Sequence, residues 1–480
     1  MKEKVTMMIE PGDVKRLVQP AAGLILALLI SSAVWSKDIA EADKTGGEIH
    51  YYGNYTRQEV IEMYNRSVGR GDELPDYGNT PDELRPFRSF VRRPYKYFFV
   101  TPLIFTGPGR DLPEPEVETV KIGVLAPVHG MMTHEAYIGS TMVRGIQLAV
   151  EEANDDGGYK GKPFEVVLRN DAGLWGASAN EIVDFSYEDK VWGVIGSIDG
   201  ANTHIAIRVA LKTEIPVVNV GDTDPTLVET KIPWIFRTIT DDRQMCYTIA
   251  WRVYKELGLK KVAILRANNR YGRFGIGEFK AASERLLRPA PIEINYDLNY
   301  DKIDIDFAMQ VERLKKVKPQ AIILWADAEP GGYLVRAIRR AGIDAPIYGC
   351  DRLIHGEFLR AAGEYAEGVI TVSPYNPDLD QPKLVAFKGR FQERWKAEPG
   401  TYAVHGYDGA CMMIEAIRQS GLNRYRIRDG LARMRQFDGA AGEINMDAVY
   451  AHRGRATLAT IKDGKYVFGL PELPEIFKDL

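Results

Sequence analysis

From residue 120 onward, short apolar runs alternate with longer amphipathic stretches, and turns of small or polar residues divide them. Runs at 120–126, 164–169, 191–195, 215–220, 261–265, 292–296, 321–325, 346–349 and 368–373 predict strands. Their almost unbroken apolar character fits a parallel sheet buried on both faces. A 3.6-residue period predicts the helices between them. One ends at Asn154, with Met142, Ile146, Ala149, Val150 and Ala153 on a single face. Others are predicted over 178–188, 201–212, 242–257, 275–287, 305–316, 332–341, 382–396 and 403–420. A hairpin over 456–461 and 465–468 turns at Asp463-Gly464. Alternation this sustained, in a chain of 480 residues that exceeds one core, predicts an α/β protein with two doubly wound lobes.

The stretch 191–225 is the most informative. An apolar run stops at Gly196, a small polar turn leads into a helix, and a second run breaks at Gly221-Asp222-Thr223-Asp224-Pro225. Both turns fall at the carboxyl ends of strands, where α/β sheets bind ligands. Backbone N–H groups beside a helix N-terminus predict a seat for a small anion, such as a carboxylate. Neither turn carries a nucleophile with its base, so the site is built to hold rather than to react.

Composition changes this picture little: 45% hydrophobic, 27% charged, with a net charge of −4 that implies no nucleic-acid partner. Cys246, Cys350 and Cys411 are scattered, with no CxxC, and argue against a disulfide framework. Cys350 reads as a small buried hydrophobe rather than a reactive thiol. His129, His134 and His204 match no standard ligand spacing, so no metal and no cofactor are expected. The N-terminus is more telling. Lys2, Lys4, Lys15 and Arg16 precede an apolar segment over 17–35, which predicts a signal peptide within 1–36. The segment is close to the ~20 residues that cross a bilayer, so an uncleaved anchor, the one predicted link to a membrane, stays open. The rest is expected outside the cytoplasm, in the periplasm.

Residues 37–116 form an extension rich in Tyr, Pro, Gly and Arg. A capping box, Thr56 with Glu59, predicts one helix there. Arginines and aromatics interleave over 85–99 and read as a packing arm, with a linker at 112–116.

Several motifs from 117 to 468 resemble one known group. They are Lys121-Ile122-Gly123-Val124-Leu125-Ala126-Pro127, Arg144-Gly145-Ile146-Gln147-Leu148-Ala149, Phe236-Arg237-Thr238, Asn269-Arg270-Tyr271-Gly272 and Phe437-Asp438-Gly439-Ala440-Ala441-Gly442-Glu443-Ile444. The chain resembles type I periplasmic solute-binding proteins of the leucine/isoleucine/valine and amide kind. The resemblance implies two Rossmann-like lobes joined by three crossover strands, closing as a Venus flytrap on a small molecule for an ABC importer's permease subunits. It implies a binding domain over 117–470, with lobe 1 near 117–238 and 369–446, lobe 2 near 239–368 and 447–470, and a tail over 471–480.

It also implies site residues. Gly200 and Ala201 in the first turn, and Gly221, Asp222 and Thr223 in the second, would hold the ligand carboxylate. The group usually has serine in place of Gly200 and a small neutral residue in place of Asp222, whose charge would repel an anion. Tyr271 would be the tyrosine that follows the first strand of lobe 2, Asp351 the acid that meets the ligand's ammonium, Trp325 would line the pocket, and Tyr137 would close its mouth. Thr223 and Asp351 also read as caps of following helices, and Trp325 as core. Two functions stay open: a solute-binding protein that captures an amino acid, amide or small carboxylate, or a sensor or accessory subunit of an envelope complex. An enzyme is not expected, since no triad, metal set or phosphate loop is present.

Overall fold

The computed structural model describes residues 50–51, 55–56, 108–129, 133–230, 232–286, 292–296, 306–446 and 450–469. The segment expected as a signal, the helix after Thr56, the arm over 85–99 and the tail lie outside them. The chain divides into units Met1–Tyr64 and Asn65–Leu480. In the first, His50–Tyr51 pairs antiparallel with Tyr55–Thr56.

The second unit holds two sheets. In lobe 1, strands β1 (Val120–Leu125), β2 (Phe164–Arg169), β3 (Val194–Gly196), β4 (Val217–Asn219) and β5 (Ile235–Arg237) form a parallel sheet in the order β2-β1-β3-β4-β5. Helices α1 (Thr133–Asp155), α2 (Trp175–Tyr187) and α3 (Gly200–Thr213) connect its first four strands. In lobe 2, α4 (Asp242–Trp251) leads to β6 (Val262–Ala267), α5 (Arg270–Leu286), β7 (Ile292–Tyr296), α6 (Ala308–Val317), β8 (Ala321–Trp325), α7 (Ala328–Arg340), β9 (Ile347–Gly349), α8 (Gly356–Ala362) and β10 (Ile370–Ser373). The chain then returns to lobe 1 through α9 (Pro382–Trp395), α10 (Thr401–Ser420), α11 (Arg424–Arg433) and the hairpin β11 (Gln436–Gly439)–β12 (Gly442–Asn445). It ends in lobe 2 with β13 (Thr457–Lys462) and β14 (Lys465–Phe468), completing the sheet order β14-β13-β10-β9-β8-β6-β7.

Because β10 pairs with both β9 and β13, the lobe boundary expected at residue 368 falls one strand later, after Ser373. Strand β10 is thus the last of its sheet rather than the first element of the return. Helix α5 also starts earlier than the apolar period suggests, which puts Tyr271 in its first turn instead of a loop. The residues of β8 and most of β1 and β6 are buried, as strands covered by helices on both faces must be. On lobe 1, α10 lies against α1 at close range: a Cβ on Gly145 would sit 1.9 Å from the Ala403 carbonyl oxygen, so a larger residue would force the helices apart. The lobes are joined at three places, after Arg237, after Ser373 and between β12 and β13. These strands touch: Arg237 N–H donates to the Tyr450 carbonyl (2.9 Å), His452 N–H to that of Arg237 (2.8 Å), and the Thr240 hydroxyl to that of Pro374 (3.1 Å).

Candidate functional site

The lobe 1 wall of the cleft consists of the turns after β3 and β4. Three of their main-chain donors are engaged by the protein's own side chains. Asp199 caps α3 and accepts the Ala201 N–H at Oδ1 (2.8 Å). The Asp222 N–H donates to Asn219 Oδ1 (3.0 Å), and the Asp224 N–H to Asp222 Oδ1 (3.0 Å). Gly221 packs on Ile198, and Thr223 is buried with its carbonyl accepting the Asp242 N–H (2.8 Å). Thr223 is no helix cap. Asp224 takes that part, accepting from the Thr226 N–H (2.8 Å) and hydroxyl (2.7 Å).

The lobe 2 wall is built where β6, β8 and β9 end. Tyr271 donates its hydroxyl to Asp351 Oδ1, so these two predicted residues do meet. Asp351 opens the 3₁₀ turn Asp351–Leu353 and does not cap α8, whose cap is His355, accepting the Glu357 N–H at 3.1 Å. Burial raises the pKa of Asp351 against the opposing pull of Tyr271 and Arg352. Burial, then the Asp351 charge, raises that of Tyr271 far more. Trp325 lies fully buried in the lobe 2 core, its ring 6.0 Å from that of Tyr271. Cys350 is buried too, and burial pushes its thiol up to about 12. Tyr137 stands half-exposed near the start of α1 with its ring edge-on to His355 of lobe 2 (4.5 Å), at the mouth.

Two arginines of lobe 2 cross the cleft, and the sequence reading missed both. Arg270 donates to Asp224 Oδ2 from Nε (2.9 Å) and Nη2 (2.6 Å), and to the Thr226 hydroxyl (3.2 Å). Gly200 makes room for this pair, since a Cβ there would lie 3.0 Å from Arg270 Nε and 3.1 Å from Asp224 Oδ2. Arg352 lies over the Tyr271 ring (3.8 Å), donates to Asp327 Oδ1 (2.7 Å) and to the Ile198 carbonyl of lobe 1 (3.4 Å), and stands 3.9 Å from Asp199. An arginine beside each predicted residue, in Arg270-Tyr271 and Asp351-Arg352, was the available signal.

The floor between the walls is acidic. Burial, with the Asp224 charge behind it, pushes Asp222 up to about 7. Burial also acts to raise Asp224, but His204, Thr226 and Arg270 outweigh it and hold that acid at about 2. Asp242, at the start of α4, is 1% exposed and neither carboxylate oxygen has a hydrogen-bond partner. Burial and then Asp351 raise it well above the usual carboxylate range, and Thr223 offsets this in part. Along the chain, Asp242 reads only as an ordinary acid at a helix start. At the lobe 1 edge, burial pushes Glu135 up to about 7.

Comparison with known proteins places this architecture. A leucine-, isoleucine-, valine-, threonine- and alanine-binding protein of Pseudomonas aeruginosa is 25% identical over 334 residues, covering 69% of this chain and 86% of that one. The crystal structure of the branched-chain amino acid transporter substrate binding protein LivJ from Streptococcus pneumoniae, in complex with isoleucine, aligns with a TM-score of 0.66 and 26% identity, over 72% of this chain and 97% of that one. A solute binding protein from R. palustris in complex with benzoate shares the fold, with a TM-score of 0.63 and 21% identity over 73% of this chain and 95% of that one. The family profile described as periplasmic binding protein matches residues 119–464, most of the chain, and the protein belongs to that family.

Proposed function

We propose that this protein captures a small solute between its lobes, outside the cytoplasm, and hands it to the permease subunits of an ABC importer. The observation that carries the reading is the meeting of Tyr271 and Asp351 on one wall, opposite the strand-end turns of the other, with arginines reaching across. Amino acids bound by the named relatives are the natural first ligands to test. Moving an open:closed balance from 1:99 to 99:1 requires about 5.5 kcal/mol of preference for the closed form. A few charge-assisted hydrogen bonds at roughly 1.5–3 kcal/mol each supply that.

A tethered sensor or accessory subunit is the second reading, and one observation favours it. The strand leaving the extension is strapped to lobe 1: Arg110 holds Asp429 through two bonds (2.7 and 3.0 Å), and Glu114 accepts from Tyr159 (2.8 Å) and Lys160 (3.1 Å). Thermal-shift screening of the full chain against amino acids, amides, carboxylates and amines, followed by small-angle scattering, tests the first reading. A solute that raises the melting temperature and shrinks the radius of gyration supports it; none doing so across the panel rejects it. N-terminal sequencing of envelope fractions separates the two, a start between 34 and 43 supporting release and Met1 supporting the tether.

A further inference from the structure

We propose that the floor of the cleft seats a nitrogen cation on Asp242, so that the ligand presents an amine, amidine or guanidine to it. The inference rests on the solute-binding reading and specifies its ligand class.

The anion seat comes first. Three of its donors are spent on the chain's own oxygens: Ala201 on Asp199, Asp222 on Asn219, Asp224 on Asp222. The N-terminus of α3 already faces Asp224 Oδ2, which also holds Arg270. An incoming carboxylate would have to displace these and then lie beside Asp222. What else remains is of the opposite kind. Oδ2 of Asp222 is a buried acceptor without a hydrogen bond, and the Asp242 oxygens, also outside hydrogen-bond geometry, have only the nearby Thr223 side chain to answer them. Leaving a buried polar group unpaired costs free energy, more so when it is ionisable.

Asp242 also lies between the walls. Its N–H is held by Thr223 of the lobe 1 turn, and the strongest charge acting on it is Asp351 from lobe 2, followed by Asp224 and its neighbour Asp241. The protein's own cations do not serve it. Arg237 pairs with Asp241 (2.6 Å), Arg243 with Glu278 (3.0 Å), Arg270 with Asp224 (2.6 Å) and Arg352 with Asp327 (2.7 Å). Without a guest, burial favours the neutral form of both Asp222 and Asp242. A guest with several N–H donors satisfies both Asp242 oxygens with charge-assisted bonds. Among the described residues no three His, Cys, Asp or Glu side chains are grouped to hold a metal ion.

Calorimetry on the full chain tests this with three probes of one carbon skeleton: leucine, 3-methylbutylamine, which lacks the carboxylate, and 4-methylpentanoate, which lacks the ammonium. The amine is expected to bind at least about tenfold more tightly than 4-methylpentanoate, a ranking that needs no variant. Asp242→Asn, checked for folding by its melting curve, should weaken the amine about tenfold or more. Equal or tighter binding of 4-methylpentanoate overturns the proposal. So does amine affinity unchanged in Asp242→Asn, or absence of amine binding. Leucine binding in those cases leaves the solute-binding reading standing, whereas failure of the whole solute panel removes both.

Discussion

The two walls of the cleft meet a buried carboxylate in different ways. On lobe 2, Asp351 is answered locally: Tyr271 donates to it, and Arg352 next to it is tied to Asp327. On lobe 1, the acids answer the backbone instead, with Asp199 and Asp222 accepting N–H groups of the turns, and Asp224 relying on Arg270 from the opposite lobe. The difference teaches that Asp351 is answered within lobe 2, while Asp224 draws on Arg270 across the cleft as well as on His204 and Thr226 of its own lobe. Closure therefore has an electrostatic part that belongs to the chain rather than to its ligand.

Breaking that contrast should have graded effects. Arg352→Ala is expected to cost most, about 3–5 kcal/mol, because it strands Asp327 in a buried site and removes a bond across the cleft; urea unfolding measures it, and a loss below about 1 kcal/mol would show the pair to be dispensable.

Asp222→Asn should act through pH. The folded pKa of Asp222 lies near 7, above its usual 3.8, so between these values the folded state binds the proton more tightly than the unfolded one. Stability from this group is full below pH ~4 and is lost as pH rises toward ~7, by at most about 1.4 kcal/mol per pH unit. Buried His405 and His452, both lowered to about 3, work in the opposite sense, so the readout is the difference between variant and parent. The substituted amide never ionises, and the variant should gain on the parent steadily from pH 4 to 7; a flat difference would contradict the assignment. Gly200→Ser, which restores the residue usual in the family, should cost least, about 1 kcal/mol, as the Arg270 side chain yields to the added atoms. Scattering of the ligand-free variant should show a slightly larger radius, and an unchanged radius would mean that the latch tolerates it.

The fold was legible because parallel strands bury both faces and leave apolar runs that side-chain pattern alone reveals. Strands as short as β5 and β12 left too little pattern, and their places depend on pairing with distant residues. Tyr271 and Asp351 were legible as a pair through family likeness. Arg270 and Arg352 were not, because a charged residue beside a turn reads as solvated until the other lobe is set against it. Asp242 stayed hidden for a similar reason: an acid in the first turn of a helix usually serves the dipole, and only tertiary burial strips it of partners. That Asp199 caps α3 through the Ala201 N–H was not legible either, because Asp199 reads as one polar residue of a turn until the helix start is fixed.

The strap formed by Arg110, Glu114 and the Gly109 carbonyl, which accepts from the Asn423 amide (2.7 Å), fastens the incoming chain to the back of lobe 1. The stretch from Gly109 to Glu114 therefore moves with lobe 1, while lobe 2 hangs from three thin connecting strands.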